Sequence, residues 1–202
     1  MFSDSPVDPR QGNIARNQTG QTMTEYVILP GIGGSGAQHW QSLWQQKHSR
    51  MYRFSPKDWD APDRDEWLDA LDAAVSARKS PCVLVAHSLA CLLIAHWSAT
   101  AARKVAGALL VGVPDPRAPV FPGVAASFAA VPEIPLRFPS LIVASSNDPY
   151  GSLDYARLRA QQWGSRLVEG GPLGHINASS DLGNWDWGLN LLERFVTEIT
   201  NG

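Results

Sequence analysis

The stretch Cys82-Val83-Leu84-Val85-Ala86-His87-Ser88-Leu89-Ala90-Cys91-Leu92-Leu93-Ile94-Ala95-His96-Trp97 decides how this chain folds. Its first six residues form a short apolar, β-branched run, the pattern of a strand buried on both faces in a parallel sheet. From Leu89 onward the run is apolar almost all round, as a helix packed under its own sheet would be. Ser88 therefore stands where a buried strand turns sharply into a buried helix. At such a turn the two backbones nearly touch, so small side chains are required two residues before and two after the serine. Ala86 and Ala90 occupy those places. Taken alone, the serine has two readings: a strained nucleophile lifted clear of the backbone, or a helix N-cap that satisfies an orphan N–H.

Two further segments bear on that choice. A nucleophilic serine needs a histidine base, and the histidine needs a carboxylate to fix its tautomer and stabilise its charged form. Leu141-Ile142-Val143-Ala144-Ser145 reads as another buried strand, and Asn147-Asp148-Pro149-Tyr150 follows its carboxyl end. Arg166-Leu167-Val168 reads as a last strand, followed by the glycine-rich loop Gly170-Gly171-Pro172-Leu173-Gly174-His175. Serine, acid and histidine thus fall in chain order just past strand ends, where ligands bind in open α/β sheets. Asp148 could instead cap the helix beginning near Ser152, and His175 could be a surface histidine. All three in this order point to a Ser88–His175–Asp148 triad. Asp115, after the fourth strand, is the alternative acid.

Around these motifs strands and helices alternate. Strands are expected near 26–29, 51–54, 82–87, 106–112, 140–145 and 165–168, and helices near 37–48, 62–78, 89–101, 151–163 and 185–200. That alternation predicts an α/β fold: a doubly wound, mostly parallel sheet with helices on both faces, in one domain over 23–202 without a large lid. At 202 residues such a chain can bury roughly 70% of its unfolded surface. Val113 to Pro139 breaks the rhythm with seven prolines, which forbid a long helix or central strand; it is expected to wall the site. The polar first 22 residues read as a disordered leader, and translation could equally start at Met23.

Composition narrows the function classes. Net charge is −2 and no basic run occurs, which argues against nucleic acid as a partner. No apolar run approaches a membrane span, and no signal-peptide pattern opens the chain. Cys82 and Cys91 fall on the buried strand and helix; they read as small apolar side chains rather than a disulfide or zinc pair, consistent with a reducing cytoplasm. His39, His48 and His96 make no metal-ligand pair, and no metal or organic cofactor is expected. His87, beside the nucleophile, points away from it by strand alternation and reads as structural. Asp63, Asp65, Glu66, Asp69 and Asp72 read as the solvated face and first-turn charges of a helix.

Pro30-Gly31-Ile32-Gly33-Gly34-Ser35-Gly36 after the first strand supports two readings. Gly31, Gly33 and Gly36 satisfy the G-x-G-x-x-G dinucleotide pattern. A dinucleotide site needs an acid at the end of the second strand, but Tyr52-Arg53-Phe54-Ser55 carries none, and Arg53 is a weak substitute as a 2′-phosphate ligand. In a sheet beginning with strand order 2-1-3 the same loop faces Ser88, and backbone amides of Leu89 and of Ile32 or Gly33 form an oxyanion hole. Gly31, Gly33, Trp40 and Trp185 are candidate substrate contacts, with Trp59 and Trp187 also in or near strand-end loops.

The glycine loop from Leu29, His39-Trp40-Gln41, the Ala86-to-Ala90 elbow, Ser146-Asn147-Asp148-Pro149-Tyr150 and Gly174-His175-Ile176-Asn177 together resemble the YdeN/retinoblastoma-binding serine hydrolase family over essentially all of 25–200. The resemblance implies a small α/β-hydrolase with Ser88, Asp148 and His175 as its triad. Two departures matter. The family's Trp-Pro-x-Gly is replaced by Trp185-Asp186-Trp187-Gly188. The L-x-C-x-E motif of the mammalian member lacks its glutamate in Leu89-Ala90-Cys91-Leu92-Leu93, so retinoblastoma protein is not an expected partner. The expected activity is carboxylester hydrolysis of a small-molecule substrate with a small or medium acyl group. A peptidase or aminoacyl-ester hydrolase using the same triad, and a hydrolase-fold protein-binding module, are the alternatives.

Overall fold

A computed structural model describes residues 24–100 and 105–201. The leader expected over 1–22, the alternative start at Met23 and the last residue of the helix expected over 89–101 lie outside the described residues. Six strands, β1 (Tyr26–Leu29), β2 (Met51–Arg53), β3 (Val83–His87), β4 (Gly107–Val111), β5 (Ser140–Ala144) and β6 (Arg166–Glu169), form one sheet. All pairs are parallel, in the order β2-β1-β3-β4-β5-β6. Five helices connect or flank them: α1 (Trp40–Lys47), α2 (Arg64–Ser76), α3 (Leu89–Thr100), α4 (Leu153–Trp163) and α5 (Asp186–Asn201).

The apolar pattern of the strands explains the layering. Alternate residues point to opposite faces, and both faces of the central strands are buried. Val27, Leu29, Leu84, Ala86, Leu110 and Ile142 pack with α2, α3 and α4. Ile28, Val83, Val85, Leu109, Val111 and Val143 pack with Trp40 and Trp44 of α1 and Leu192, Phe195 and Val196 of α5. Every residue of β3, β4 and β5 is buried, whereas edge strand β6 is half exposed. Strand order reverses at β1, so the chain leaves β1 and β3 in opposite directions and a crevice opens between their carboxyl ends.

Helix ends follow local capping chemistry. Asp63 accepts the Glu66 amide and Ser152 the Tyr155 amide, and Asp65 and Glu66 complement the N-terminal dipole of α2. Gly164, at φ 66°, ends α4 in the left-handed conformation that glycine adopts most readily. Helix α1 begins at Trp40, later than the expected residue 37, because the His39 imidazole caps it by accepting the Gln41 amide at 3.2 Å. Within the proline-rich segment a 3₁₀ turn (Gly123–Phe128) buries Ala125 and Phe128, an element the proline count had hidden. Both cysteines are free and buried. Burial pushes the Cys82 thiol up to about 11 and the Cys91 thiol further still.

One fully buried polar side chain ties the crevice together. Gln41 Nε2 donates to the carbonyls of Leu29 (3.2 Å) and Val85 (3.0 Å), and its Oε1 accepts from Ser35 Oγ at 2.7 Å. Both carbonyls belong to the β1–β3 ladder, and the Gln41 amide adds a second donor to each where the two strands part. Gln41→Leu keeps the volume but removes three side-chain hydrogen bonds at once. It is expected to destabilise the fold by about 2–4 kcal/mol, read as a fall in Tm of roughly 5–15 °C.

Candidate active site

Ser88 sits at φ 56°, a left-handed conformation that few non-glycine residues adopt. The tertiary frame holds it there: its N–H donates to Val111 O on β4 at 2.9 Å, and its carbonyl accepts the Cys91 amide at 2.8 Å. Ala86 and Ala90 are fully buried on either side. A β-carbon on Gly31 would lie 3.0 Å from Ser88 Cβ, 3.1 Å from His87 O and 3.3 Å from Leu89 N. The glycine loop therefore passes against the elbow, at a separation only glycine permits.

The loops after β3, β5 and β6 bring three side chains into line. His175 Nε2 lies 2.8 Å from Ser88 Oγ, and His175 Nδ1 lies 2.9 Å from both Asp148 oxygens. The Asp148 side chain is 2% exposed, and its Oδ1 also accepts the Tyr150 amide at 2.9 Å. Gly112 (φ 63°) closes β4 beneath them: a β-carbon there would lie 3.4 Å from Asp148 Oδ2 and 3.5 Å from His175 Cε1. Asp115 lies elsewhere, accepting the Arg117 backbone amide at 2.9 Å and pairing with the Arg117 guanidinium at 3.2 Å.

The loop carrying His175 is pinned from both sides, by His87, which the sequence marked as structural, and by two residues it did not single out. Gly174 N–H donates to Asn147 Oδ1 at 2.7 Å, and Leu173 N–H to Ser145 Oγ at 2.8 Å. His87 Nε2 donates to the His175 carbonyl at 2.9 Å, which gives this buried histidine its structural task. Burial holds the His87 imidazole well below the ordinary histidine range. Ser145 and Asn147 sit within the quoted strand-end motif. Their roles had no separate signal, because the amides they receive lie more than 25 residues away.

The glycine loop is fastened by Arg53. Its guanidinium donates to Gly34 O, to Ser35 O (3.2 Å), to Ser42 Oγ (2.7 Å) and to Gln45 Oε1 (2.6 Å). The side chain weighed as a 2′-phosphate ligand is thus consumed inside the loop. Gly33 N–H donates to Trp59 O at 3.1 Å, so this amide is committed. Among the described residues, no acceptor meets the amides of Ile32 and Leu89. A cavity of about 340 Å³ opens over Ser88 and His175, walled by Ile32, Gly33, Ser35 and His39 on one side. Pro114, Phe121 and Pro122 of the proline-rich segment wall the other.

Trp40 and Trp185 do not line this cavity, and the sequence expectation is corrected. Both are at most 5% exposed, in the core between α1, α5 and the sheet. Trp40 Nε1 donates to Ile176 O at 2.8 Å, while Trp185 stacks on Trp44 at 5.9 Å between ring centroids. Gly188 lets the Trp185 indole lie flat, since a β-carbon there would run into the ring. Trp59 packs beside Gly34 and Trp187 is 47% exposed. Among the described residues, no cluster of His, Cys, Asp and Glu could hold a metal ion, and no helix is long and apolar enough to cross a membrane.

Comparison with known proteins fits this geometry. The family model described as serine hydrolase matches residues 26–194. A YdeN-like hydrolase from Pectobacterium atrosepticum is 32% identical, superposing with a TM-score of 0.79 over 87% of this chain and 92% of its own. The ydeN gene product of B. subtilis is 19% identical, with a TM-score of 0.72 over 87% of this chain and 100% of its own. The esterase domain of a Rhodothermus marinus protein shares the fold at 16% identity, with a TM-score of 0.60 over 84% of this chain and 91% of its own. Curated protein sequences return no match. The chain belongs to the YdeN-like small serine hydrolases, single-domain enzymes of the α/β-hydrolase fold.

The contact at Gly31 yields a test. Gly31→Ala must push the loop from the elbow by a few tenths of an ångström, displacing the Ile32 amide relative to Leu89. The rate at which Ser88 takes up a fluorophosphonate is expected to fall about 10- to 100-fold, the scale on which small misplacements act, while the protein stays folded by circular dichroism.

Proposed function

We propose that this enzyme is a carboxylesterase acting on small-molecule esters with small to medium acyl groups, through an acyl-enzyme on Ser88. The observation that carries this reading is the continuous hydrogen-bond line from Ser88 Oγ through His175 to Asp148, at 2.8 and 2.9 Å. Asp148 accepts the Nδ1 proton of His175, which leaves Nε2 bare and aimed at the serine hydroxyl. Ser88 Oγ attacks the ester carbonyl as Nε2 takes its proton. The oxygen that becomes negative is received by the amides of Leu89 and Ile32, two donors that need no rearrangement when charge develops. Collapse expels the alcohol, which takes the proton back from Nε2. Water then enters by the same route, and His175 serves once more as base and acid.

The size of the site supports the substrate class. A cavity of about 340 Å³ lies at the low end of ordinary ligand pockets. Its walls mix apolar groups (Ile32, Leu89, Phe121, Pro122) with polar ones (Ser35, Asn177, Ser179). A cytoplasmic setting belongs to the same proposal, supported by two buried free thiols.

Three substitutions test the chemistry. Ser88→Ala is expected to fold normally, to lose fluorophosphonate labelling and to reduce ester turnover by roughly 10⁴–10⁶. Asp148→Asn is expected to lower kcat by about 10⁴ at neutral pH, because the amide favours the wrong imidazole tautomer. Asp115→Asn should change kcat by less than about threefold, since its partner is Arg117. An Asp115 variant as impaired as the Asp148 variant would overturn the assignment. Turnover of p-nitrophenyl esters of graded chain length is expected to peak at short acyl chains.

A further inference from the structure

Two histidines beside the nucleophile have their tautomers set by their partners. His39 Nδ1 accepts the Gln41 amide at 3.2 Å, so its single proton is on Nε2. That Nε2–H is buried and has no hydrogen-bond partner among the described residues, although the residue is only 4% exposed. His87 Nε2 faces the His175 carbonyl at 2.9 Å and must carry its proton there, which leaves His87 Nδ1 as a bare acceptor. The rings meet edge to face with centroids 4.7 Å apart, and both residues line the cavity that holds Ser88. Burial is the largest reason why both imidazoles stay neutral, with that of His39 lowered to about 4. Two adjoining residues of the cavity wall therefore carry one fixed donor and one fixed acceptor, and because Nε2 of His39 lies just beneath the cavity surface, a group in the cavity reaches it through a small shift of the ring. A hydroxyl, which donates one hydrogen bond and accepts another, is the group that matches this pair.

We propose that His39, with His87, forms a hydroxyl-binding subsite next to Ser88 and that His39 is a positioning residue for the reaction. The hydroxyl belongs either to a hydroxylated acyl group of the substrate or to the water that attacks the acyl-enzyme. In both cases the orphan donor of His39 gains the partner it lacks, relieving a buried unsatisfied N–H. The inference rests on the acyl-enzyme reading above.

The test uses His39→Asn, whose side-chain oxygen still caps α1 but whose amide stops short of the ring Nε2 position, and His39→Gln, whose longer amide restores a donor there. Wild type and both variants are assayed on p-nitrophenyl butyrate and p-nitrophenyl 3-hydroxybutyrate, with acylation and deacylation separated by stopped flow. If the substrate supplies the hydroxyl, wild type prefers the hydroxy ester in kcat/KM, and His39→Asn reduces that preference about 3- to 10-fold, the scale of one hydrogen bond. If water supplies it, His39→Asn lowers the ratio of deacylation to acylation rate by a similar factor on both esters, and a burst of p-nitrophenol appears. His39→Gln recovers the affected ratio in either case. Unchanged ratios, or a uniform loss on both esters and both steps, overturn the subsite. Wild type that neither hydrolyses these esters nor takes up fluorophosphonate overturns the acyl-enzyme reading and the subsite with it. Normal wild-type turnover with unmoved ratios sinks the subsite alone.

Discussion

The left-handed backbone at Ser88 is the constraint around which the molecule is arranged. A non-glycine residue held at φ 56° is strained by about 1–3 kcal/mol, and it persists only because its surroundings leave no other path. On one side β3 is buried along its whole length; on the other, α3 packs its apolar surface under the sheet. The Val111 carbonyl holds the serine amide, and Gly31 fills the space into which the turn would otherwise relax. The same geometry that strains the residue turns its hydroxyl into the crevice between β1 and β3. Burial of two core elements thus offsets the strain that exposes one polar atom.

Three imidazoles crowd this crevice, and their surroundings assign them different work. His175 alone has a carboxylate on its Nδ1, from an Asp148 almost wholly removed from water. His87 and His39 have no such partner, and burial keeps both neutral. Their rings lie 5.0 and 4.7 Å from the next in line, so a charge on either would repel one on His175. Of the three, His175 alone is both held by a carboxylate and aimed at the Ser88 hydroxyl. Two clamps maintain the spacing: Arg53 and Gln41 on the glycine loop, Asn147 and Ser145 on the histidine loop. All four put polar atoms against backbone or hydroxyl groups at a strand end or in a loop.

The two tryptophans assigned to the pocket show where reading along the chain loses information. Trp40 and Trp185 do lie beside strand-end loops, as Phe121 and Tyr150 do. Only the latter pair reaches the cavity, because Trp40 and Trp185 belong to the layer beneath the opposite sheet face. Proximity in sequence to a strand end says nothing about which face a ring packs on. Gly33 and Ile32 are indistinguishable as amide donors in the sequence. The hydrogen bond from Gly33 to Trp59, across 26 residues, separates them. The 3₁₀ turn over Gly123–Phe128 was likewise masked by surrounding prolines, which forbid long elements but permit a short one.

What the sequence determined is what local periodicity and chain order carry. Apolar runs marked Cys82–His87 and Leu141–Ser145 as buried strands, and β3 and β5 are buried along their whole length. The alternation with helices implied a parallel sheet, and right-handed crossovers then constrain its order. Ser88, Asp148 and His175 each follow a strand and share an edge of that sheet, so their candidacy was legible before any distance was known. Tertiary structure alone decided which acid meets His175, which loop amides lack acceptors, what His39 and His87 hold, and how large the cavity is. Those features depend on contacts between distant residues, such as His87 and His175, 88 positions apart. Such contacts follow from the twist of the sheet and the docking of whole helices, which no window along the chain contains.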